Sequence, residues 1–179
     1  QLDYTKNNAY TLKQKSKMKA IFFSDKTLTA SHGTFNTNGY KPKTFLFNEK
    51  RKGISLQHAF TKKSSKQFDP ISSILQLRYD ISKNPQQKQF KYTVTFNQKP
   101  KTKVFEVLTR HNKIYTPLGI FDTIEIGNLT NNIETHYWLA PRLNYLPVKT
   151  LTLKNDKPAI THVITSYKPL KSAYCAITN

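Results

Sequence analysis

Apolar and polar residues alternate along most of this chain with the two-residue period of β-strands. In Gln89–Phe96 the apolar Phe90, Tyr92, Val94 and Phe96 are separated by Lys91, Thr93 and Thr95, a strict alternation. Ile54, Leu56, His58 and Phe60 share a face in the same way, and Thr44–Asn48 reads as its neighbour across the turn Glu49–Gly53. Met18–Phe23 is a compact apolar run at the end of the polar, basic stretch Thr11–Lys19. Thr27–Phe35 alternates loosely, and Asn38-Gly39 is a turn signal. Val104–Leu108 and Ile120–Ile126 predict further strands, Asn128–Asn132 a loop, and Glu134–Leu139 another extended segment. Val148–Leu153 and Ile160–Tyr167 read as a hairpin closed by Asn155–Pro158.

The period changes once. Asp69 is a good N-cap, Pro70 suits the first helical position, and Ile71, Ile74 and Leu75 follow at helical spacing until Asn84-Pro85 stops the element. One helix near 69–82 is therefore expected among many antiparallel strands: a mainly β (α+β) fold, a single domain over 1–179, with a curved sheet wrapped around the helix. The stripe Ile71, Ile74 and Leu75 is expected on the sheet's inner face. Arg78, one turn on, is expected at the rim or paired with an acid such as Asp122 or Glu125.

Composition narrows the function classes. The 179 residues carry 29 basic and 10 acidic side chains, a formal charge of +19. The excess is steepest in residues 1–66, with 14 basic against 3 acidic residues. Such a field attracts anions without selecting among them. Of the basic residues 25 are Lys and 4 are Arg, a balance that weighs against bidentate base or phosphate reading and so against nucleic acid. Lysine-rich turns supply candidate contacts with an anionic surface at Lys50, Arg51, Lys52, Lys62, Lys63 and Lys66.

No catalytic constellation is legible. The five histidines are scattered, Cys175 is the one cysteine, and no GxSxG, GxGxxG, P-loop or HExxH pattern occurs. No catalytic residue, metal ligand or cofactor is assigned, and the reading is non-enzymatic. No apolar run reaches the roughly 18 residues of a membrane span.

Three segments carry a resemblance: Asp69–Arg78, Ile114–Ile124 and Tyr137–Val148, the last including Trp138-Leu139-Ala140-Pro141-Arg142 and Tyr145-Leu146-Pro147. Together they resemble a family of exported Gram-negative envelope proteins of unknown function whose fold is similar to the lipoprotein carriers LolA and LolB. Where the family pattern often has an acid after Trp-Leu-Ala-Pro, this chain has Arg142. The resemblance implies a periplasmic or envelope location with the signal peptide removed, and an incomplete antiparallel barrel with the helix on its concave face. The start Gln1-Leu2-Asp3 fits a cleaved leader or a trimmed chain, and without Cys at position 1 no lipid anchor is expected there. It implies an apolar or amphipathic ligand, an acyl chain or lipoprotein segment, for which Ile71, Ile74, Leu75, Arg78, Trp138 and Tyr145 are the candidate contacts. The alternative is a structural or interaction protein whose basic surface meets anionic glycans, lipids or a partner protein; a host-directed virulence role falls in that class. Oligomeric state is left open.

Overall fold

The computed structural model describes residues 1–5, 8–20, 23–51, 54–61, 67–96, 99–130 and 132–168; the side chains of 16–20, 23–25, 51, 54–58 and 60–61 lie outside that description. Among the described residues the architecture is mainly β, 71% strand, with one α-helix and no closed barrel. The strands are β1 (Leu2–Tyr4), β2 (Ala9–Ala20), β3 (Phe23–Asn36), β4 (Gly39–Arg51), β5 (Ile54–Thr61) and β6 (Gln67–Phe68). After the helix α1 (Pro70–Lys83) come β7 (Gln89–Phe96), β8 (Lys99–Thr116), β9 (Gly119–Thr130), β10 (Ile133–Ala140), β11 (Leu146–Lys154) and β12 (Lys157–Val163).

Hydrogen bonding sorts these strands into two sheets, one in the order β1-β2-β3-β4-β5 and one in the order β12-β11-β10-β9-β8-β7-β6. The pattern alone suggested one sheet, because alternation fixes which residues share a face but not which strand is the neighbour. The pairings within β1–β5 and within β8–β12 are antiparallel, and β6 pairs with β7 in parallel. By contact density the chain forms two units, Gln1–Gln76 with Thr93–Lys101, and Leu77–Tyr92 with Thr102–Pro169.

In the first unit the core is aromatic. Tyr10, Phe35, Tyr40 and Phe45 are buried. Tyr10 meets Tyr40 edge-on at 5.2 Å, and Phe35 tilts against Tyr40 at 4.7 Å. Phe96 packs edge-on against Phe47 at 5.3 Å. Such edge contacts exploit the ring quadrupole.

The first half of α1 joins this sheet through polar rather than apolar side chains. Asp69 caps the helix, accepting from the backbone N–H groups of Ile71 and Ser72, and its other oxygen accepts from Ser31 Oγ of β3 at 2.6 Å. Tyr10 and Ser31 hydroxyls lie 3.2 Å apart, and the Tyr40 backbone N–H donates to Gln76 Oε1 at 2.6 Å. Asp69, Ser72, Ser73 and Gln76 are all buried. Gly39, at φ +95°, completes the seat: a Cβ there would fall 2.3 Å from the Gln76 amide. The stripe expected to face the sheet is divided instead, with Leu75 buried and Ile71 and Ile74 half-buried.

In the second unit, Leu77, Ile81, Phe90, Tyr92, Phe105, Ile126 and Leu139 are buried. A second cluster of Ile114, Phe121, Trp138, Ala140 and Val148 occupies the opposite face of β9 and β10, with Leu143, Leu151 and Ile164 packed against it.

Candidate interaction surface

The predicted contacts fall into separate places. In the second unit, Arg78 donates from Nε and Nη2 to the Asn144 carbonyl at 3.1 and 3.0 Å. That is the residue before Tyr145, so the arginine braces the β10–β11 connection, where the sequence suggested Asp122 or Glu125 as partner. Glu125 is engaged elsewhere: it takes hydrogen bonds from Asn112 Nδ2 at 3.1 Å and faces His136 Nδ1 at 2.8 Å. The connection itself is a 3-10 turn, Pro141–Leu143, followed by Asn144 and Tyr145 in the left-handed region. Trp138 precedes it, in the inner strand β10, and is a core residue with its ring 4.6 Å from Lys149 Nζ. Pro147 lies in β11 where the register shifts, a place a strand tolerates proline.

His136 lies between two carboxylates, Glu125 Oε1 at Nδ1 (2.8 Å) and Glu134 Oε1 at Nε2 (3.0 Å). The carboxylates approach from opposite edges of the ring and do not converge on a point where a cation could sit. It is a cross-strand brace, stacked on Trp138 at 5.8 Å.

Lys103 stands out among the cations. It is half-buried, with Nζ 5.0 Å from the Phe105 ring and 6.0 Å from the Tyr137 ring. Burial pulls its ammonium down to about 8 and pushes the Tyr137 hydroxyl up to about 12. Burial likewise raises the Asp69 carboxyl, against the lowering effect of its Ser31 and Ser72 hydrogen bonds.

The lysines form a surface in the first unit. Of those named from sequence, Lys50 lies in β4 rather than in a turn and is exposed. The Arg51 backbone continues β4, and its side chain lies outside the described region, as do Lys52, Lys62, Lys63 and Lys66. The register places Lys50 opposite Lys26 of β3, which is opposite Lys17 of β2. The next rung holds Lys15, Leu28 and Asn48, and the one after it Lys13, Ala30 and Leu46. Directly opposed residues share a face, so Lys13, Lys15, Lys26 and Lys50, all exposed, stand on one side of the sheet. Glu49, one residue before Lys50, alternates to the other side. Among the described residues none of these four lysines is ion-paired. Directly opposed like charges such as Lys26 and Lys50 are destabilising unless something anionic lies over them.

Sequence reasoning looked for basic contacts in turns and passed over Lys13, Lys15 and Lys26. The usable signal was the two-residue spacing of Lys13, Lys15, Lys17 and Lys19, which marks one face of a strand.

Compared with known proteins, this chain matches no family model, no curated protein and no solved structure.

Proposed function

We propose that this chain is a non-enzymatic envelope protein that binds an anionic surface through the lysine face of β2, β3 and β4. The observation that carries this is the two-dimensional set of exposed lysines at Lys13, Lys15, Lys26 and Lys50, none of them ion-paired among the described residues. A planar array suits a planar array of anions, and each lysine near such a surface contributes about 1 kcal/mol. Among the described residues of this face no Phe, Tyr or Trp is exposed, and the His32 imidazole is engaged by Thr11 Oγ1 at 3.0 Å, so the face offers little on which nucleic-acid bases could stack. The export and the half-barrel architecture that the resemblance implies belong to this reading.

An acyl-carrier role would ask α1 to lift from the five-stranded sheet. The buried Asp69–Ser31 and Tyr40–Gln76 hydrogen bonds make that costly, since each would leave a polar group without a partner. The interaction reading is therefore preferred, with no uptake of a fluorescent fatty acid expected. The test is co-sedimentation with vesicles of phosphatidylglycerol and of phosphatidylcholine. Binding to the anionic vesicles that weakens steeply with salt is the expected result. Equal binding to both compositions, or none to either a vesicle or a soluble polyanion, contradicts it.

A further inference from the structure

The tip of the β8–β9 hairpin is apolar and faces outward. Tyr115 is 74% exposed, Ile120 50% and Leu118 39%. Tyr115 and Ile120 are cross-strand partners, and Leu118 sits in the turn between them, so the three form one continuous cap. This is unlike the neighbouring rung, Ile114 and Phe121, whose side chains point to the other face and are buried. Behind the cap, one strand period back on the same face, Lys113 lies opposite Asp122, both exposed. The hairpin therefore passes from apolar to charged over about 7 Å.

The turn is closed on itself. Thr116 Oγ1 donates to the Gly119 carbonyl at 3.0 Å and accepts from the Leu118 N–H at 3.1 Å. Pro117 at the turn has no N–H to satisfy. A loop with its backbone groups paired in this way can leave water without orphaned donors.

We propose that this tip inserts into the head-group and upper acyl region of a lipid bilayer. Tyrosine with an apolar body and a polar tip is suited to that boundary, Leu118 and Ile120 supply the apolar contact, and the charged rung behind them sets the depth. The strongly positive chain complements an anionic membrane. The inference rests on the proposed function, because it takes the anionic surface to be lipid.

The experiment uses the full chain. Leu118→Cys, in a Cys175→Ser background, carries an environment-sensitive fluorophore. Its emission should brighten and shift to the blue with phosphatidylglycerol-containing vesicles. The unlabelled double variant Tyr115→Ser/Leu118→Ser should keep the wild-type circular dichroism and melting temperature. It should keep vesicle adsorption at low salt, yet bind at least tenfold more weakly at about 0.3 M salt, where exposed charges are screened. A bound protein whose emission does not shift overturns the proposal. So does self-association, seen by sedimentation, that the double variant abolishes, since the cap would then meet a second copy. Binding to soluble polyphosphate without binding to vesicles removes the tip proposal and leaves the lysine face standing. Binding to neither removes both.

Discussion

Asp69, buried, and Lys103, half-buried, are two ionisable residues whose burial ties stability to pH. Asp69 holds the helix start and the Ser31 hydroxyl at once, and burial raises its carboxyl above the usual range. A carboxyl raised in the folded state contributes stability that is fully present below its unfolded value and lost as pH rises through the folded one. Asp69→Asn keeps a capping oxygen and cannot ionise. The gap between variant and wild type should thus widen in the variant's favour as pH rises from about 4. Asp69→Ala should cost about 1–2 kcal/mol below about pH 4 through loss of the cap, a gap that narrows as the wild-type carboxyl ionises. Urea titrations of the three proteins across pH check both. Lys103 gives the other sign. Its ammonium is lowered to about 8, so above that value the folded chain binds fewer protons than the unfolded chain, and stability climbs with pH until the ordinary lysine range. Lys103→Met should raise the melting temperature at pH 7 and abolish that climb.

At the scale of elements, α1 was legible because local chemistry dictates it: the Asp69-Pro70 start and the Asn84-Pro85 stop depend on no distant residue. The alternating strands β7 and β9 were legible for the same reason. The length of β8 was not. Lys99–Lys103 reads as a turn, yet it opens an 18-residue strand, whose register shifts twice against β9. The division into two sheets was also hidden, since it depends on which strand each edge finds. The polar docking of α1 was hidden because Ser31 and Tyr40 become partners of the helix only after folding. That docking is testable. Gly39→Ala meets both a positive φ and the Gln76 amide, so it should destabilise by at least 1–2 kcal/mol in chemical denaturation. Trp138→Ala empties the cluster around Ile114, Phe121 and Val148 and should cost about 3–5 kcal/mol. An unchanged melting temperature in either variant would contradict the packing described.

At the scale of the molecule, charge is distributed along the sequence as the fold uses it. The most basic stretch, residues 1–66, supplies the five-stranded sheet, and strand alternation puts four of its lysines on one face while Glu49 falls on the other. The excess positive charge was evident from composition, but its concentration on a sheet face was not. If the lysine face is the site, this face, rather than net charge as such, makes the contact. The direct test compares the wild type with Lys13→Gln/Lys15→Gln/Lys26→Gln/Lys50→Gln. A control carries four glutamines at Lys88, Lys91, Lys154 and Lys157, exposed lysines of the second unit. Affinity for anionic vesicles is measured against salt. The account predicts that the first variant loses about 4 kcal/mol of binding at low salt and most of the salt dependence, while the control, with the same net charge, stays close to wild type. Equal losses in the two variants would show that binding follows total charge and would contradict the lysine face as the site.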